Sequence, residues 1–448
     1  MARVRRSGRR GRQFESGIPD GYMKMFNNKT KFSNFLTIFF YSLTRFLIWQ
    51  LRPKGFSEII YSYMPFAHLW ASGVKPYLQQ WYEYPPATIP LFYLPHLIDM
   101  ATLHHWLHFD YMTSYRLILL GFDILTFSLV WKTHNKQKTQ PLVKWLSLTY
   151  YCLATLFAHS FMYDTMDLVF AFAMTLGVVA PIIFPDKLKK IAAWIGYWLA
   201  TCLKFVNAPL IVPYSLIQLK EAKSRKKIKL QKSVFSFIFP MAIACFLIWG
   251  LPVTVYRSSL QVSLVYHQIR GIQVDSSPAL VIRTINLFTH SEQIVEIYKN
   301  YEMTGPITNQ VKPISNLIFI GSILIFLVLS SKLIIQKKFS KKTANLLRIS
   351  LTFGYIIIFL LFGKVLSRPF LIWQIPILSL LTFPTVKKQL SFFSASLLML
   401  VTTLTKTPDL MIWFFPLPLL VGWLRFGCLS YLLFQWIAMI TPNTKSKL

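Results

Sequence analysis

The sequence predicts an all-α integral membrane protein, a polytopic bundle of about twelve transmembrane helices with interfacial or re-entrant pieces in its first outer loop. Three observations lead there. The chain is 54% hydrophobic, with a mean hydropathy of +0.46. Its apolar runs recur at about 20 residues, the length that crosses a bilayer core. Only 14% of its 448 residues are charged, and they gather between the runs.

The net charge of +32 comes from 48 Lys and Arg against 16 Asp and Glu. Nucleic acid is the naive partner for such a balance. The basic residues do not collect on one soluble domain, however, so no nucleic-acid partner is expected. Cytoplasmic loops accumulate Lys and Arg, and that accounts for the charge. Cys152, Cys202, Cys245 and Cys428 all lie in apolar segments and form no CxxC, so neither a zinc site nor a disulfide framework is predicted.

Residues 1–31 read as a basic cytoplasmic tail that sets the first helix N-terminus-inside. No apolar core follows it until about residue 32, too late for a cleaved signal peptide. Residues 32–448 read as a single transmembrane domain. A span at 32–51 delivers an outer loop, 52–110. Within that loop, 85–108 is apolar but carries Pro85, Pro86, Pro90 and Pro95. If 85–103 and 112–131 both crossed, the basic KTHNKQK after the second would lie outside, so 85–108 reads as interfacial or re-entrant. Spans at 142–160 and 168–184 follow. The segment 191–217 has basic flanks on both sides and reads as a hairpin of two short helices meeting near Lys204–Pro209. A span at 234–252 leads to a long outer loop, 253–313. Further spans are expected at 314–335, 345–363, 369–386 and 391–405, with an apolar remainder at 410–441.

The first outer loop draws attention because carboxylates are scarce. Glu58 stands at the outer interface, where a tuned carboxylate takes a proton from a hydroxyl. Glu83 is the competing acid, beside the rigid Tyr84-Pro85-Pro86. The loop's aromatic residues suit either a sugar face or interfacial anchoring. Asp164 and Asp167 are spaced to share a helix face and either orient a substrate or hold an Arg. Lys204 sits inside an apolar run, where a charge is costly and usually functional. Its position is nominally near the cytoplasmic side, so a role at the outer face needs the hairpin to reach across. His267, Arg270 and Asp275 form a polar group in the long outer loop. Arg368 lies at the outer end of another span, beside Lys364. Arginine makes forked contacts to phosphate oxygens. His104, His105 and His108 read as an interfacial face rather than a metal site. The first outer loop has no DxD, and the chain has no Gly-rich phosphate loop, HExxH or GxSxG.

Several of these motifs occur in the order found in one family. The first loop runs Glu58, Tyr61, Gly73, Pro76-Tyr77 and Tyr84-Pro85-Pro86. Tyr163-Asp164 and Asp167-Leu168 follow, then Lys204, Pro209 and Pro213, then RGIQVDSS, then KVLSRPFLIWQIP. This set resembles the multispanning glycosyltransferases of the C superfamily (GT-C), specifically mannosyltransferases that use polyprenol-phosphate sugars. Three positions depart from the family pattern. Glu58 stands where the family has Asp, Asp275 where it has Glu, and Ser367-Arg368-Pro369-Phe370 where it has SPQY.

The resemblance implies a bacterial plasma-membrane enzyme with its active site on the outer face. It implies a polyprenyl-phosphate sugar donor, mannose above others, and a glycolipid or glycan acceptor. It also implies an inverting displacement without a cofactor or a metal. Glu58, with Asp164 and Asp167, is then catalytic. Lys204, Arg270 and Arg368 bind the donor phosphate. Tyr61, Glu83, Tyr84, His267 and Asp275 contact substrate. A transporter or lipid flippase is the alternative, since it too explains many spans and a broken helix.

Overall fold

The structure, a computed structural model, describes residues 20–52, 57–224, 230–297, 300–336, 340–404 and 416–441. Of the expected tail 1–31, residues 1–19 lie outside the described residues, as does the segment 405–415, and residues 20–31 belong to the first helix.

The fold is helical with one small sheet. Helix α1 (Asp20–Leu51) is followed by a π-helical turn (Ile59–Tyr63) that runs into α2 (Met64–Ala71). The piece expected to be interfacial is α3 (Thr88–Thr102), 15 residues with Pro95 inside it. At about 1.5 Å per residue it is roughly 22 Å long, short of a full crossing. Asp110 then caps α4 (Tyr111–Gln137), accepting the Thr113 N–H at 2.7 Å. Helices α5 (Pro141–Phe157) and the single turn α6 (His159–Met162) lead to α7 (Asp167–Ile183).

Helices α7 and α8 (Lys189–Leu203) form a tight antiparallel pair. Gly177 and Gly196 let the two backbones touch. A methyl group on Gly196 would lie 2.3 Å from the Gly177 nitrogen. Lys204 ends α8 in extended conformation, a 3-10 turn (Phe205–Leu210) follows, and α9 (Ile211–Ser224) runs back. The hairpin is longer than its apolar run because the helices take Lys189, Lys190 and the polar residues after Ile217 into their ends.

Helix α10 (Leu230–Tyr256) opens the second half. The region expected as a long outer loop is folded. It holds a 3-10 turn (Arg257–Leu260), α11 (Gln261–Ile269), β1 (Ile272–Gln273), α12 (Ser277–Thr289), β2 (Gln293–Ile297) and β3 (Asn300–Thr304). The sheet is antiparallel in the order β1-β3-β2, and Gln273 on β1 stands opposite Glu302 on β3. Ile272, Val274, Ala279, Ile282 and Met303 form its own small core.

Helices α13 (Pro306–Gln336) and α14 (Lys341–Phe362) come next. The span expected at 369–386 is instead broken. A 3-10 turn (Arg368–Ile372) passes into α15 (Gln374–Leu380), after which the chain is extended at Leu381. Seven helical residues rise only about 10 Å, so α15 is no crossing by itself. Pro369, Pro376 and Pro384 interrupt this stretch. Helices α16 (Val386–Val401) and α17 (Pro416–Ile440) complete the described chain.

Five of the described helices are long and apolar enough to cross a membrane: α4, α10 with its α11 continuation, α13, α14 and α17. They differ in placement. The apolar window of α14 is 83% buried, that of α13 is 17% and that of α10 is 6%. Helix α14 is therefore the centre of the bundle, while α10 and α13 turn most of their apolar side chains outward.

One buried ion pair joins α1 to α4. Arg45 of α1 donates to Asp123 of α4 through Nε at 2.6 Å and Nη2 at 3.0 Å. Tyr41, Tyr151 and Tyr163 give the same carboxylate three more hydrogen bonds, at 3.1, 2.7 and 2.9 Å. A buried charge with five donors is fully compensated, so this cluster braces helices.

Candidate functional site

The site begins at Ser57. Its carbonyl accepts the Ile60 and Tyr61 N–H groups at 3.1 and 3.2 Å, which starts the π-turn. Glu58 heads that turn, half-buried, and accepts the Ser62 hydroxyl at 3.1 Å. The wider π-turn changes the face on which residues meet. Ser62 and Tyr63 join Glu58 on the wall of a cavity, while Tyr61 points elsewhere and is 48% exposed. The expected substrate contact by Tyr61 is therefore not part of this wall.

Glu83, Tyr84 and Pro85 enter the same cavity from the second part of the loop. Their backbone is held firmly. The Tyr77 hydroxyl donates to the Tyr84 carbonyl, and the Thr88 hydroxyl donates to the Pro85 carbonyl at 2.6 Å. The Ala87 N–H reaches the Cys202 carbonyl at 3.1 Å, which ties the first loop to the end of α8. Tyr84 also packs edge-on against Tyr63 and Phe92.

Asp164 and Asp167 part company. Asp164 lies in the turn before α7, buried, and accepts from Arg116 Nε at 2.8 Å and Nη2 at 2.7 Å. Burial raises its pKa, and the guanidinium opposes that rise. It is absent from the cavity wall, so it holds an arginine instead of facing substrate. Asp167 does line the cavity. It accepts the Lys204 ammonium at 3.0 Å and the Trp373 indole N–H at 2.6 Å.

Lys204 is at the same end of the bundle as Glu58, not near the opposite side. Helices α7 and α8 run antiparallel and are 17 and 15 residues long, so the chain returns to the level where it began. The ammonium lies 4.2 Å from the Phe370 ring centre and 5.1 Å from that of Trp373. Two aromatic faces and one carboxylate fix it.

Arg270 follows α11. Its side chain is 9% exposed and lines the cavity. Its Nε and Nη2 are buried and make no hydrogen bond among the described residues. Such groups are costly to leave unmade. His267 lines the wall nearby, edge-on to Phe205. Lys364 also lines it. Its Nζ donates to the Arg270 carbonyl at 2.8 Å, and burial lowers its pKa.

Arg368 and Asp275 are not in this cavity. Asp275 stands 3.5 Å from Arg368 Nε and 3.4 Å from Arg425 Nη1 of α17. Arg425 in turn donates to the Thr402 hydroxyl at 3.1 Å. The short segment 363–370 separates the two places. Lys364, Val365 and Ser367 face the large cavity, and Leu366 faces away. Arg368 thus pairs with a carboxylate behind the wall, and neither Arg368 nor Asp275, expected to bind the donor phosphate and to contact substrate, lines the large cavity.

The cavity has a volume of about 820 Å³. Its lining holds three acids, Glu58, Glu83 and Asp167, and three basic residues, Lys204, Arg270 and Lys364. Phe319, Ile320, Ile323 and Leu324 of α13 and Leu264 of α11 add apolar side chains to the same lining. Leu264, Ile320 and Leu324 are 46%, 55% and 56% exposed. Among the described residues, no three His, Cys, Asp or Glu side chains are grouped to hold a metal ion. His104, His105 and Trp106 are exposed, and His108 bonds Asp99 at 2.8 Å.

No protein-family model matches this sequence. No curated protein matches it either.

Proposed function

We propose that the chain is a GT-C-like membrane glycosyltransferase that uses a polyprenyl-monophosphate sugar. One observation carries the proposal. A half-buried carboxylate, Glu58, shares a cavity with the buried guanidinium of Arg270, whose Nε–H and Nη2–H bonds are unmade, and the same cavity is lined by Ile320 and Leu324 of α13, both more than half exposed. An acid, an anion receptor and an oily groove are what a lipid-phosphate sugar and a hydroxyl acceptor require.

The chemistry on this reading is a single displacement. Glu58 takes the proton of the acceptor hydroxyl as its oxygen bonds to the anomeric carbon. The bond from that carbon to the phosphate oxygen breaks, and the sugar inverts. Polyprenyl phosphate leaves with the bonding pair, and Arg270, Lys204 and Lys364 stabilise its charge. Glu83 and Tyr84 face the sugar, with His267 beside the phosphate. The prenyl tail runs along α13.

The reading extends to the setting. Roughly twelve crossings are proposed, with short helices such as α3 and α15 serving as partial ones. The N-terminus is placed in the cytoplasm and the cavity on the outer face of a bacterial plasma membrane. The sugar is proposed to be mannose and the acceptor a lipid-linked or envelope glycan.

Sugar transfer in membranes from polyprenyl-phosphate sugars tests this, with Glu58→Gln at matched expression. Transfer by the wild type and a loss of about 100-fold or more in the variant are expected. Transfer that survives the substitution moves the base to Glu83. No transfer by the wild type from any such donor overturns the enzyme reading and favours a transporter.

A further inference from the structure

We propose that Glu302 is a positioning residue, which holds Arg270 as a preformed receptor for the phosphate of the lipid donor. This rests on the lipid-phosphate reading above. Glu302 lies on β3, far in sequence from Arg270, and is buried.

The Arg270 backbone is fixed from three directions. Its own N–H donates to the Tyr266 carbonyl at 3.2 Å. Its carbonyl accepts from Lys364 Nζ. The next residue, Gly271, donates its N–H to Glu302 Oε2 at 2.8 Å. A Cβ on residue 271 would lie 2.3 Å from that oxygen, so the Glu302 carboxylate would have to shift to admit one. The other Glu302 oxygen is 3.6 Å from Arg270 Nε, beyond a hydrogen bond. Glu302 therefore orients the arginine without using up its donors. Nε and Nη2 make no hydrogen bond among the described residues, and Arg270 lines the cavity.

The sheet carries this arrangement to the apolar wall. Strand β3 runs directly into α13, and Glu292 accepts the Ile307 and Thr308 N–H groups at 2.7 and 3.1 Å. The phosphate receptor and the helix that adds apolar side chains to the cavity lining are thus built on one connected unit.

The test is binding of farnesyl phosphate and of farnesol to the purified full-length protein. The wild type is expected to prefer the phosphate. Glu302→Ala removes the acceptor for the Gly271 N–H. It is expected to lose tenfold or more in phosphate affinity and to keep its farnesol affinity. Glu302→Gln keeps an acceptor oxygen and is expected to bind the phosphate at least as tightly as the wild type. The proposal is overturned if Glu302→Ala binds the phosphate as the wild type does, or if it loses both ligands alike. It is also overturned if Glu302→Gln fails as Ala does. A wild type with no preference for the phosphate removes the lipid-phosphate reading itself. A preference that survives in Glu302→Ala removes only the positioning role.

Discussion

The Lys204 ammonium lies 3.0 Å from the Asp167 carboxylate, and each residue ends one of two antiparallel helices. Side-chain exposure is 15% for the lysine and 6% for the aspartate. Breaking a buried pair from one side leaves an uncompensated charge, at about 3–5 kcal/mol. Asp167→Asn and Lys204→Met are each expected to lower the melting temperature in detergent. The double variant is expected to be more stable than the sum of the two losses implies. Additive losses would show that the pair is not coupled.

Gly196→Ala is expected to separate α7 from α8. The added methyl meets backbone atoms at 2.3 and 2.8 Å, which cannot rotate out of the way. Overpacking of this kind costs about 1–3 kcal/mol. Gly121 has nothing within 4 Å of an added methyl, so Gly121→Ala serves as the control. Thermal unfolding of the two variants should differ by several degrees, and equal melting points would refute the close contact.

Lys364 supplies a pH dependence. Burial lowers its pKa below the ordinary lysine value, so its charge is lost at a lower pH than a free lysine loses it. Anion affinity is therefore expected to fall as pH rises into the alkaline range. Arginine remains charged there. Lys364→Arg should move the fall to higher pH in a titration with farnesyl phosphate. A profile that does not move would take Lys364 out of the anion site.

Arg368 and Asp275 separate a packing role from a binding one. Arg368→Gln is expected to leave farnesyl phosphate affinity within about twofold of wild type, a change under about 0.5 kcal/mol. Asp275→Asn strands Arg425, which is 4% exposed, and should destabilise the fold by about 3 kcal/mol. A large loss of phosphate affinity in Arg368→Gln would return that arginine to the cavity.

Much of this site was legible because charge is conspicuous in an apolar chain. Lys204 inside a hydrophobic run marked the helix break, and Glu58 and Glu83 stood out among few acids. The level of Lys204 was not legible, since it depends on how far α8 extends into basic residues that hydropathy assigns to a loop. Glu302 was hidden because nothing local shows that β3 pairs with β1 beside Gly271. The Asp275–Arg425 contact joins two distant elements for the same reason. The span at 369–386 was misread because hydropathy reports burial, and α15 is buried inside protein without being long enough to cross. Tyr61 was assigned only from the motif of the family that the chain resembles, and the π-turn leaves it off the cavity wall.

One wall of the cavity belongs to α13, whose apolar window is only 17% buried. Its outer surface is covered by whatever surrounds the protein. The width of the groove is then a property shared between the chain and its solvent. Lateral pressure and bilayer thickness act on that helix directly, each ångström of mismatch being worth a fraction of about one kcal/mol. Micelles press on it differently from a lipid sheet. On the proposed membrane reading, ligand affinity measured in nanodiscs of graded thickness is expected to vary, where affinity at a rigid site would stay constant.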